Sequence, residues 1–188
     1  MTDKDLIERI AARGDGVTAD GRHVAGSAPG DRVAADGTLI PGPNRAEPVC
    51  RHFMRCGGCQ LQHVAEGALA DFVRDRVAGA LAAQQLHANA IRAALLSPPQ
   101  SRRRAALTAL RTGQQIAVGF NAAQSNQIID MRECPLLMPA LFALIAPVRK
   151  LLGLIAPQRR FVKIKLQMLD QGVELVLDMV AGDYVARN

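Results

Sequence analysis

The sequence predicts an α+β protein, mainly β. Three observations predict it: glycine-centred turns crowd residues 13–33, apolar and polar residues alternate through 104–131 and 162–179, and only two stretches carry helical periodicity. The 49% hydrophobic content over 188 residues is enough to build a packed core. No run approaches the roughly 18 consecutive apolar residues of a membrane span, and Met1 to Arg13 lacks a charged-then-apolar leader, so a cytoplasmic, soluble chain without membrane partners is expected.

The elements follow in order. Arg13-Gly14-Asp15-Gly16-Val17, Asp20-Gly21-Arg22-His23-Val24 and Pro29-Gly30-Asp31-Arg32-Val33 place turn residues every few positions, which leaves room for short strands only and predicts a small β-barrel or a fragment of one. Between Gly37 and Pro48 three prolines and two glycines replace apolar periodicity, so this stretch reads as a linker with a boundary near Arg45. Two domains are therefore expected, 1–45 and 46–188. Leu69, Phe72, Val73, Val77, Ala80 and Leu81 recur at helical spacing and predict a helix over about 64–86.

Beyond Pro98-Pro99, strands are predicted at 104–110, 116–120 and 127–131 as an antiparallel meander. Leu141, Leu144, Ile145, Val148, Leu151, Leu152 and Ile155 mark a second helix with Pro139 in its first turn. Val162, Ile164, Leu166 and Met168 then alternate with Lys163, Lys165 and Gln167. Asp170-Gln171-Gly172 turns the chain into a returning strand, Val173 to Met179.

All four cysteines stand in one pattern: Cys50-x5-Cys56-x2-Cys59, then Cys134-Pro135 after 74 intervening residues. In a reducing compartment this favours bound metal over disulfides. Gly57-Gly58 gives the loop freedom to bend around a bulky centre. Four thiolates suit tetrahedral zinc or a cubic iron–sulfur cluster, and three clustered ligands with a remote Cys-Pro lean towards iron without excluding zinc. His52 and His63 flank the thiols, and His63 is expected as a hydrogen-bonding element of the loop, not a ligand.

Basic residues are unevenly spread: 1–48 carry six against eight acidic, 49–135 ten against five, and 136–188 seven against four. Such a surface attracts phosphate backbones. Arg102, Arg103 and Arg104 are candidate RNA contacts, as are Lys163 and Lys165 on one face of a strand.

The stretch Cys50 to His63, with its Cys-Gly-Gly-Cys-x-x-Gln-His core, resembles the cluster loop of the RNA uracil-C5 methyltransferases. The glycine-rich start resembles that family's TRAM domain, an RNA-binding barrel of OB type. Ser101 to Arg104, Val118-Gly119-Phe120 and Cys134-Pro135-Leu136-Leu137 resemble its central β-rich domain. The resemblance implies a four-iron four-sulfur cluster on Cys50, Cys56, Cys59 and Cys134. It also implies an S-adenosylmethionine-dependent enzyme forming 5-methyluridine in RNA, ribosomal in preference to transfer RNA, with this chain a monomer. The Rossmann-like domain that binds S-adenosylmethionine in this family has no counterpart here, since no glycine-rich loop follows a strand. The chain alone is then expected to be inactive, with no catalytic or S-adenosylmethionine-binding residue of its own. A non-catalytic RNA-binding iron–sulfur or zinc module is the alternative, and a small redox protein a third reading.

Overall fold

The computed structural model describes residues 3–179 and divides into two units, 1–49 with 59–96, and 50–58 with 97–188. It is mainly β, as the alternation predicts. Arg45 is held by Asp31 of the first unit, and the following helix packs there too, so the chain passes into the second unit for nine residues and returns.

In the first unit, β1 (Ile7–Ile10), β2 (Gly16–Thr18) and β3 (His23–Val24) form an antiparallel sheet in that order. A bulge falls between Ile7 and Arg9. β4 (Arg32–Val33) and β5 (Leu39–Ile40) form a second, two-stranded sheet. Ile7 N–H donates to Asp31 O (2.8 Å) and Gly30 N–H to Ile7 O (2.7 Å), so β1 is also tied to the turn before β4. These short strands do not close into a barrel among the described residues.

Asp31 fixes this unit. Its buried carboxylate accepts the N–H groups of Ala28 (2.7 Å) and Gly42 (2.8 Å) and the Arg45 guanidinium, whose Nη2 also reaches Gly26 O (2.9 Å). Burial pushes this carboxyl up, but Arg45 and the two backbone donors outweigh it and hold it below the usual carboxylate range. Helix α1 (Glu66–Ala83) lays Ala68, Leu69 and Phe72 against Ile10, Ala28 and Val64. Its second half is uncovered, with Val73 and Val77 exposed. Among the described residues only the first turns of the predicted apolar face find a partner.

In the second unit, β6 (Arg104–Thr112), β7 (Gln115–Gly119), β8 (Phe161–Leu169) and β9 (Gly172–Met179) make an antiparallel sheet of order β7-β6-β8-β9. Ala105, Leu107, Ala109, Val162, Ile164 and Leu166 face the core, where α2 (Pro139–Ala143) and α3 (Ile145–Ile155) deliver Leu141, Ile145, Val148 and Leu152. The predicted second helix is thus two. Pro147 has no N–H for the Ala143 carbonyl and its ring crowds that position, so the helix breaks at Leu144. The predicted strand at 127–131 is irregular backbone: Ala122, Ile129 and Met131 N–H groups pair with Gln127, Phe120 and Val118 carbonyls without regular ladder geometry. No helix among the described residues is long and apolar enough to cross a membrane.

Replacing Asp31 by alanine strands the Arg45 charge and the Ala28 and Gly42 backbone donors. The opening free energy read from hydrogen exchange at the Ile7 and Gly42 amides should fall by about 3 kcal/mol. Because the folded carboxyl titrates below its unfolded value of about 3.9, its stabilisation is complete above that pH and is lost as pH falls through the lowered folded value. The alanine variant should show a flatter acid limb; a limb as steep as wild type would count against this role.

Candidate metal centre

The cysteine loop is shaped by tight turns. Phe53 N–H reaches Cys50 O (3.0 Å), Cys56 N–H reaches His52 O (2.9 Å), and Met54 takes a left-handed φ of 66° at the tip. The two glycines that follow do not adopt positive φ. They are required by close approach instead: a Cβ on Gly57 would stand 2.8 Å from Asn121 O, and one on Gly58 3.1 Å from the Phe120 ring. Gly57 N–H donates to Asn121 O (2.9 Å), and Cys56 bridges Ala122, so the loop lies against the end of β7.

The remote cysteine is brought to this loop by its neighbours. Glu133 accepts the Arg51 backbone N–H (2.6 Å) and its Nε (2.9 Å), while His52 Nε2 accepts the Arg132 N–H (3.1 Å). Two residues preceding Cys134 thus grip the two that follow Cys50. The Arg51 backbone donor holds the Glu133 carboxyl below its ordinary value; desolvation opposes this, and the Arg51 guanidinium helps to outweigh it. The segment after Cys134 is fixed as well, because Gln100 and Arg102 N–H groups donate to Pro135 O (2.9 Å) and Leu136 O (2.8 Å).

None of the four half-buried thiols is in a disulfide. Burial pushes the Cys56 thiol up; the Gly58 N–H, 3.4 Å from its sulfur, opposes this, nearby Cys50 and Cys134 raise it further, and Arg102 lowers it. Cys50, Cys56 and Cys134 therefore share one neighbourhood in the second unit, and Cys59 follows Gly58 directly as the chain re-enters the first. Among the described residues no three His, Cys, Asp or Glu side chains are drawn tightly enough to hold a metal ion. The donor chemistry suits a thiolate-bound centre: soft ligands uncommitted to disulfides, in a loop packed too closely on backbone for a side chain at 57 and tightly against the Phe120 ring at 58.

His63 is buried, its Nε2 3.0 Å from Ser27 O, in the hydrogen-bonding role expected of it. Gln62 beside it has both amide atoms buried without a hydrogen-bond partner among the described residues, which spacing alone could not reveal.

The arginine run does not act as one surface. Arg102 turns its guanidinium over the Phe120 ring (5.2 Å) and donates to Gly58 O (3.3 Å). Arg103 leans on Met168 O (3.4 Å) and Asp170 (3.6 Å). Arg104 opens β6 opposite Gln167, on the sheet face away from the core, and shares that face with Lys165 and Lys163 through the Ala106 and Thr108 pairings. Both lysines are exposed, and Lys163 Nζ donates to Thr108 Oγ1 (3.2 Å).

Comparison with known proteins bears on this arrangement. No family model matches the chain. An RNA methyltransferase of Zymomonas mobilis, uncharacterised in function, is 43% identical over 92% of this chain and 44% of its own length. A Rhizobium meliloti protein of the same description is 35% identical over 92% of the chain and 46% of its length. The 23S rRNA (uracil(1939)-C(5))-methyltransferase RlmD of Halomonas elongata is 30% identical over 92% of the chain and 40% of its length. The chain belongs to this RNA uracil-C5 methyltransferase family. It spans less than half the length of these curated relatives.

Gly57→Ala drives a Cβ into backbone and should cost about 1–3 kcal/mol locally, seen as faster exchange of the amide at position 57. Gly58→Ala meets only a ring edge and should be milder. Equal protection in wild type and Gly57→Ala would refute the close-packing account.

Proposed function

We propose that this chain is the RNA-engaging, cluster-bearing part of an S-adenosylmethionine-dependent RNA (uracil-C5) methyltransferase forming 5-methyluridine, with ribosomal RNA preferred over transfer RNA as substrate. The observation that carries the reading is the grip of Arg132 and Glu133 on Arg51 and His52, which brings the segment before Cys134 against the segment after Cys50. Relatives that align with 92% of the chain and are named as RNA methyltransferases support it.

Cys50, Cys56, Cys59 and Cys134 would hold a four-iron four-sulfur cluster. When bound, such a cluster cross-links the loop to the remote segment and presents a shaped inorganic surface; methyl transfer itself needs no electron. The protein's own contributions are to orient the thiols and to keep the glycine loop against β7. Methylation of a uracil ring at C5 calls for a thiolate nucleophile and a carboxylate base. With every cysteine given to the centre none is left to attack, so these 188 residues alone would not methylate RNA.

The open sheet face bearing Arg104, Lys163 and Lys165 supports RNA contact on this side, as does the two-to-one excess of basic residues through 49–135. The assignment of the first 45 residues to a TRAM-like unit is part of the same reading.

Anaerobic purification with iron, sulfide and zinc analysis tests the centre. About four irons and four sulfides per chain are expected in wild type, and loss of both in Cys134→Ser. Stoichiometric zinc without sulfide would leave a zinc-dependent RNA-binding module in its place. For the RNA face, Lys165→Gln should weaken binding of ribosomal RNA fragments uniformly and reduce the slope of log affinity against log salt by about 0.7–0.9. An unchanged slope would remove Lys165 from the interface.

A further inference from the structure

We propose that Arg102, the first of the three consecutive arginines, is a positioning residue of the thiolate centre: it couples the glycine loop, the end of β7 and the segment after Cys134 through one residue. The proposal rests on the reading of the four cysteines as a metal centre. Three contacts converge on it. The side chain donates from Nη1 to Gly58 O, the last carbonyl before Cys59, at 3.3 Å. Its guanidinium carbon lies over the Phe120 ring, 5.2 Å from the centroid, and Phe120 is the ring that Gly58 packs against. The backbone of Arg102 donates to Leu136 O (2.8 Å) and accepts from Met138 N–H (3.1 Å), two and four residues beyond Cys134.

No other residue of the arginine run does this. Arg103 and Arg104 make none of these contacts and turn to Met168, Asp170 and the open face of β6. A planar fork stacked on an aromatic ring is pre-organised to hold a carbonyl, a task lysine performs poorly.

The test uses the full chain as wild type, Arg102→Lys, Arg102→Gln and, as a charge-matched control on α1, Arg74→Gln. Metal release to a chelator should be several-fold faster in both Arg102 variants, lysine included, and unchanged in the control. The midpoint potential of a bound cluster should fall in Arg102→Gln, which loses a charge, and stay near wild type in Arg102→Lys; a purely structural role would not separate the two. In the metal-free chain, alkylation of Cys56 by iodoacetamide should be faster in both Arg102 variants because the loop is loosened, a readout that needs no metal. If wild type binds neither iron nor zinc, the metal reading fails, and the alkylation rates still decide whether Arg102 positions the loop. Release and alkylation rates equal to wild type, with only RNA affinity and its salt slope reduced, would overturn the proposal and return Arg102 to the RNA-contacting surface.

Discussion

The structure depends on bringing residues 50–58 and 132–138 together across some eighty residues of chain. Closing a loop of that length costs about 4 kcal/mol in chain entropy. The Arg51–Glu133 pair is exposed on the arginine side and, as a solvent-screened surface ion pair, returns only a small part of that cost. The pair cannot be what closes the loop. Closure comes from the apolar core of the second unit, where β6 and β8 bury Leu107, Val162, Ile164 and Leu166 against α2 and α3. That core seats β7 and the segment after Cys134 beside each other, and the arginine, histidine and glutamate contacts then set the register of the loop to within a hydrogen bond.

Seen this way, the site is built outward from an ordinary β-sheet. The central strand β6 has Arg102 just ahead of its start and lies between β7, which receives the glycine loop, and β8, which carries Lys163 and Lys165. One strand therefore relates the thiols to the cationic face. The first unit uses a different device: a buried carboxylate gathers turns whose strands are two to four residues long, too short to be held by ladder hydrogen bonds alone. An ion pair with backbone donors substitutes there for the hydrophobic mass that a small barrel lacks.

Strands with clean alternation were legible in the sequence. The register of Lys163 and Lys165 outward and Val162, Ile164 and Leu166 inward follows directly from period two, as does the turn at 170–171. Elements governed by a single local atom were harder to read. The missing N–H of Pro147 splits a helix whose apolar spacing is continuous, and the edge position of 127–131 leaves it irregular although its composition favours a strand. The four cysteines and the RNA methyltransferase resemblance were visible because their spacing is unusual; which contacts place them was not. Arg102, Arg103 and Arg104 look equivalent in a string, and only the ring of Phe120 tells the first from its neighbours. The glycines at 57 and 58 suggested freedom of φ, whereas what fixes their identity is the carbonyl of Asn121 and the Phe120 ring pressed against them.

The excursion of residues 50–58 into the second unit has a topological consequence. The chain crosses between its units three times, at 49/50, 58/59 and 96/97, so no single cut yields both units whole. A piece beginning at Ser97 would retain the four-stranded sheet and Cys134 but forfeit Cys50, Cys56 and the glycine loop, while the complementary piece would carry three thiols with nothing to clamp them. Residues 50–58 and the segment that clamps them at Arg132 and Glu133 are thus brought together only on a chain threaded in this interleaved order.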